Sequence, residues 1–154
     1  MASNLKVIID NSQSKIKIPS GTRMLVRRSC HATLQYENYD SRTEINVVFA
    51  DNDLLREFEH LRVSNFEARE LIAIPSQGEG DSLGKIIISV ERIIELTKVY
   101  NRPFEMGIVF ASVHGVLNLL GQYYTDQHSK DALMMKEAGV MNDLGYSPLA
   151  DYMI

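Results

Sequence analysis

The segment from Pro103 to Leu120 decides what this chain can fold into. Across Phe104-Glu105-Met106-Gly107-Ile108-Val109-Phe110-Ala111-Ser112-Val113-His114-Gly115-Val116-Leu117-Asn118-Leu119-Leu120 the one formal charge is Glu105. Pro103 suits a helix start, because a first-turn residue has no intrahelical use for the N–H that proline lacks. Ile108, Val109, Val113, Val116, Leu117 and Leu120 leave such a helix little polar surface, so it must be covered on most sides. The chain has no apolar run long enough to span a bilayer, so the cover has to be protein and no membrane partner is expected.

The rest of the sequence supplies that cover. Leu5-Lys6-Val7-Ile8-Ile9 is a β-branched run closed by Asp10-Asn11-Ser12, which predicts a strand and a turn. Lys15-Ile16-Lys17-Ile18 alternates and ends at Pro19, so it is extended for a few residues at most. Ser20 is expected to cap a helix over 22–34, with Met24, Leu25 and Leu34 as its apolar stripe. Glu37 to Arg42 is a polar loop. Strands follow at 44–50, 70–74 and 85–89, the second stopped by Pro75. Asp51-Asn52-Asp53 offers an N-cap for a helix through Arg62, on which Leu54, Leu55, Phe58 and Leu61 recur at helical spacing. The Gly-rich loop over 76–82 lacks the Lys-Ser/Thr ending of a phosphate-binding loop and reads as a connection. Ser89 caps a helix through Tyr100, and a last helix over 129–144 ends at Gly145 in the C′ position. This order predicts an α+β fold, about four strands in a mixed sheet packed with about five helices. One domain is expected over 1–146, with a loose tail over 147–154.

Composition sets limits on partners. The net charge is -4 over 154 residues. Residues 1–62 hold nine Lys/Arg against eight Asp/Glu, and residues 63–154 hold seven against twelve. That is not the footprint of a general nucleic-acid binder, although a local basic cleft is compatible with it. Met1 to Leu5 does not read as a signal peptide. Cys30 is the one cysteine and cannot form an internal disulfide, which fits a reducing, cytoplasmic setting. It is expected to pack rather than react.

The candidate site lies at the end of the apolar helix. His114, position 118, Gly121 and position 124 have the spacing of a zinc-hydrolase helix: ligands four apart on one face, a glycine that breaks the helix, and a third ligand after the turn. Position 118 is Asn and position 124 is Tyr, and Gly115 stands where a metzincin carries its general base. Zinc sites take three or four protein ligands. An amide oxygen is a poor zinc ligand, and a phenol ionises only near pH 10. His128 is the alternative third ligand if its loop folds back. Otherwise it is a solvated histidine near a helix cap. His31 and His60 have no ligand spacing. Met134, Met135 and Met141 read as core or gap-filling residues. Arg27-Arg28, and Arg62 with Arg69, are candidate RNA phosphate contacts, with a solvated face as the default.

His114-Gly115-Val116-Leu117-Asn118-Leu119-Leu120-Gly121 resembles the H-G-x-L-H-L-x-G-Y-D-H signature of the YbeY family of bacterial rRNA maturation factors. Leu83-Gly84-Lys85-Ile86-Ile87-Ile88-Ser89 is similar to that family's L-G-D-I-x-I-S strand. Glu105 matches the helix leading into the signature, and Met134 or Met135, Glu137 and Leu144-Gly145-Tyr146 resemble its C-terminal helix. Val48-Phe49-Ala50-Asp51-Asn52 and Glu70-Leu71-Ile72-Ala73-Ile74-Pro75 resemble two further segments. The resemblance implies a metal-dependent, single-strand-specific endoribonuclease of small-subunit rRNA processing, with zinc on three histidines and RNA or the small ribosomal subunit as partner.

Of those histidines only His114 is present. The arginine expected to face RNA falls on Val63, and Arg62 substitutes for it only if the helix end shifts. Ala73 and Lys85 replace a serine and an aspartate. Scaffold positions are kept while site positions change, so zinc is expected to be absent or weakly held and catalysis impaired. Two alternatives stay open: a non-catalytic relative that binds RNA or the ribosome, and an altered or designed sequence that keeps the fold only.

Overall fold

In the computed structural model, which describes residues 4–78 and 80–146, four strands form one mixed sheet. They are β1 (Leu5–Asn11), β2 (Thr43–Ala50), β3 (Leu71–Pro75) and β4 (Ser82–Ser89), in the order β1-β2-β4-β3. β1, β2 and β4 run parallel, and β3 pairs antiparallel with β4 as an edge. The pleat sends alternate residues of β4 to opposite faces. Ile86 and Ile88 join the main core with Ile45, Val47 and Phe49, while Ile87 joins Ile72, Ala50 and Leu55 on the other face.

The helices are α1 (Thr22–Tyr36), α2 (Asn52–Arg56), α3 (Val90–Tyr100), α4 (Phe104–Leu119) and α5 (Gln127–Asp143). Every residue of α4 from Met106 to Leu119 is buried. It is covered by α1, α3, α5, β3 and β4, which explains why its sequence is apolar all round. Gly115 permits the contact with the sheet, since a Cβ there would meet Ile86 Cγ2 at 2.6 Å. Position 115 therefore points at β4 and not toward a site.

Several expectations hold closely. Ser89 Oγ accepts the Arg92 N–H at 3.0 Å, Pro103 precedes α4, and Gly145 follows α5 with φ 92°. Others are corrected. Ser20 does not cap α1. Gly21 does, with φ 89° and no side-chain cap, so a glycine turn makes the entry. Met24 is 67% exposed, and α1 instead buries Val26, Ser29, Cys30 and Thr33 beside Leu25 and Leu34. Met135 is exposed as well, whereas Met141 is buried.

The helix expected through Arg62 stops at Arg56, and a 3-10 turn covers Glu59–Leu61. The cause is Arg62 itself. Its backbone is extended, and its guanidinium donates to Glu59 Oε2 at 3.0 Å and to the carbonyls of Leu71, at 3.2 Å, and Ala68. That grip turns the chain into β3. The tail expected over 147–154 lies outside the described residues.

Gly84 carries a local constraint. It sits at the irregularity where β2 and β4 change register, with φ 134°. A Cβ there would lie 2.2 Å from the Ile74 carbonyl oxygen, a backbone atom that cannot step aside. Gly84→Ala should cost about 3 kcal/mol, from backbone strain plus overlap. A urea midpoint close to that of the unmodified chain would show that the bulge relaxes at little cost.

Candidate functional site

His114 lies wholly inside the protein, at 0% exposure. Its ring stacks on Phe110 one turn earlier, with centroids 5.5 Å apart, and lies tilted against Tyr124 at 4.5 Å. Both ring nitrogens meet carboxylates. Nδ1–H donates to Glu137 Oε2 from α5, and Nε2–H donates to Glu67 Oε1 at 2.7 Å from the loop before β3. A neutral imidazole has one N–H, so one nitrogen would then present a lone pair to a carboxylate oxygen. The arrangement therefore fits the doubly protonated ring.

Tyr124 closes the cluster. Its hydroxyl donates to Glu137 Oε1, and its backbone N–H donates to Glu67 Oε2 at 2.6 Å. Both oxygens of each acid are thus used, and the Glu67 and Glu137 side chains are only 5% and 2% exposed.

Burial is the largest influence on the His114 pKa and acts to lower it. The Glu137 charge, with hydrogen bonds from Glu137 and Glu67 and the Glu67 charge, outweighs burial and pushes the value up to about 10. Tyr124 is held well above its ordinary value, first by burial and then by Glu137, so it stays a phenol.

A base whose folded pKa is raised stabilises the fold fully below its unfolded value of about 6.5, and that contribution is lost as pH rises toward the folded value. Stability should therefore decline from about pH 6.5 upward through about pH 10. Urea unfolding at stepped pH checks this, with His114→Gln as the comparison whose profile should be flatter. Equal slopes for the two proteins would show that His114 is not the group responsible.

Asn118 has a structural task. Its Nδ2 donates to the Gln122 carbonyl at 2.7 Å. Gly121, with φ 88°, donates to Asn118 O, and Gln122 N–H donates to Leu117 O, both at 2.9 Å. These bonds form a Schellman ending for α4. His128 stands exposed on the first turn of α5, away from the buried His114. Arg62 is 6% exposed and engaged as described, while Arg69 is half exposed and pairs with Glu59 at 3.3 Å. Cys30 is fully buried in α1, and burial pushes its thiol up to about 12.

Sequence reasoning missed Glu67 and Glu137 as site residues. Glu137 carried a signal: it interrupts a buried stripe that includes Leu133, Val140 and Met141 on α5. Glu67 lies in an irregular loop and carried none.

These residues do not fit a zinc ion. Both His114 nitrogens are occupied by carboxylates, Asn118 is turned to the backbone, and Tyr124 remains protonated. Val63 and Asn118, where the resemblance expected an RNA contact and a ligand, and Ala73, where it expected a serine, line a void of about 10 Å³ with Arg62, Glu67 and Tyr123. That is room for about one water molecule.

Comparison with known proteins agrees with the fold. The solution structure of TM1509 from Thermotoga maritima superimposes with a TM-score of 0.58 at 15% identity, covering 94% of this chain and 95% of that one. Two proteins named Endoribonuclease YbeY are each 30% identical to this chain. The one from Caldanaerobacter subterraneus covers 92% of this chain and 98% of the relative, and the one from Clostridioides difficile covers 91% and 97%. Among the described residues no helix is long and apolar enough to cross a membrane. The family model described as Endoribonuclease YbeY matches residues 8–145, nearly the whole described chain, and on that match the chain belongs to the YbeY family.

Proposed function

We propose that this chain is a YbeY-family protein that binds single-stranded RNA of the small ribosomal subunit without cleaving it through a metal-activated water. The observation carrying this reading is the double capture of His114 by Glu67 and Glu137, which leaves neither ring nitrogen for a metal. The charge a cation would bring to this centre is supplied instead by the imidazolium. The small size of the void beside Val63, Ala73 and Asn118, about 10 Å³, supports the same reading, since it has no room for a nucleotide. The family's RNA substrate enters through membership, and full coverage of the relatives argues that the whole fold is retained for use.

The Arg62 guanidinium holds the fold together, so RNA contacts fall to exposed cations such as Arg69. The test is a gel-shift with single-stranded RNA run beside a cleavage assay, each with added zinc and with chelator. The expected result is a shifted, intact strand under both conditions. Cleavage abolished by chelator would overturn the reading.

A further inference from the structure

A second cavity, about 340 Å³, shares Glu67 with the small void and has Tyr124 in its wall. Three segments build its walls. Arg92, Leu96 and Tyr100 recur every four residues on α3 and share a face, as do Lys130 and Met134 on α5. The loop before β3 adds Phe66 and Arg69, and Phe110 and Tyr124 lie beneath.

Two features set this cavity apart in a protein of net charge -4. Arg69, Arg92, Arg102 and Lys130 all line it, against Glu67 and Glu70, and Glu67 shares the His114 imidazolium with Glu137. Phe66 and Tyr100 are aromatic rings left 43% and 54% exposed at its edge. Arg102 lies 4.9 Å from the Tyr100 ring centroid, and Lys130 lies 6.0 Å from that of the buried Tyr124, so cations and rings share the wall of the cavity.

We infer that this cavity is a binding site for a terminal nucleoside monophosphate, one base with a phosphomonoester, at the end of an RNA strand or as a free nucleotide. The volume lies at the low end of small-ligand sites, about 300–1,000 Å³, which suits one nucleotide rather than a threaded strand. A phosphomonoester carries about -1.5 to -2 charges, which several converging cations match better than the single charge of an internal phosphodiester does. Arg69 and Arg92 are free to turn to it. Their pairs with Glu59 and Glu95, at 3.3 and 3.1 Å, are solvent-exposed on both sides and worth about 0–1 kcal/mol each. Guanidinium groups grip phosphate with two parallel bonds. The base stacks on Phe66 or Tyr100, whose rings accept any base.

The strand-end form of this inference rests on the RNA-binding reading, whereas the free-nucleotide form does not. Calorimetric titration of the full chain with adenosine 5′-monophosphate, adenosine and inorganic phosphate tests the site. The nucleotide should bind about tenfold or more tighter than either fragment, and the double variant Arg92→Ala, Lys130→Ala should lose about tenfold or more of that affinity. An unchanged thermal midpoint in the variant is expected because neither side chain is buried.

In the second arm, labelled single-stranded RNA with a 5′-phosphate, a 3′-phosphate or hydroxyl ends is titrated. One phosphorylated end should bind tighter than the hydroxyl-ended strand and be displaced by the nucleotide. If adenosine binds as well as its monophosphate, or the variant keeps full affinity, the site assignment is wrong. Equal binding of all three strands with no displacement would overturn the strand-end form and leave the RNA-binding reading standing. Nucleotide binding lost in the variant, with no RNA bound at all, would do the reverse.

Discussion

Glu137→Ala should cost the fold about 3–5 kcal/mol, the size of loss measured when one partner of a buried ion pair is removed. Glu137 accepts from two donors inside the protein, the His114 ring and the Tyr124 hydroxyl. Its loss leaves a phenol without an acceptor and an imidazolium with one counter-charge in place of two. The ring can answer by giving up a proton, but it then loses the attraction that offset its burial.

Glu137→Gln keeps a carbonyl oxygen for one of the two donors and should cost less, about 2 kcal/mol. Replacing His114, Glu67 and Glu137 together by apolar residues of similar volume should cost less than Glu137→Ala alone, because buried charge is stabilising only while it is matched. Urea midpoints measure all three. A Glu137→Ala loss below about 1 kcal/mol would show that the cluster is neither buried nor charged in solution.

Asn118→His with Tyr124→His should convert the chain from one without stoichiometric zinc to one that binds it. The two changes supply the second and third imidazoles that a zinc site requires. The geometry is prepared for them: the rings of residues 114 and 124 already meet at 4.5 Å, and position 118 is one turn along the same helix. Glu67 is the obstacle, since its carboxylate holds the His114 Nε2–H. Adding Glu67→Ala to the double variant should therefore tighten zinc binding by a further tenfold or more, about 1.4 kcal/mol, because the ring proton that competes with the metal is then held by one carboxylate instead of two. Competition against a chelator of known affinity reads both steps. Equal affinity with and without Glu67 would mean that this carboxylate does not guard the ring. Regained zinc need not restore cleavage, because Val63, Ala73 and Lys85 still differ from the family pattern.

What could be read in the sequence was whatever local chemistry decides. Ser89 caps α3 with its own hydroxyl, Gly145 turns the chain after α5, and the uniformly apolar run of α4 forces its central place. Gly84, noted only as part of a motif, is required by a carbonyl from the neighbouring strand. The failures share a cause in distant partners. The length of α2 depends on Arg62 reaching carbonyls six and nine residues further on. Met24 and Met135 satisfy helical spacing yet face solvent, because spacing does not say which side a neighbour covers.

The candidate site was half legible. His114 and Tyr124 were placed by a motif, and their loss of a metal-type ligand set was visible as Asn118 and Tyr124. The carboxylates that hold His114 were not, since its ring meets partners 47 positions before it and 23 after it. No local pattern joins a loop glutamate to a helix glutamate through a third element.

A protonated histidine clasped by Glu67 and Glu137 stands where the family resemblance expects a metal. Equilibrium dialysis of the unmodified chain against zinc tests it most directly. The account predicts no stoichiometric uptake, and no shift in the thermal midpoint when zinc is added. Tight one-to-one binding, lost on His114→Gln, would show that Glu67 yields the ring to a cation and that the site is a metal centre.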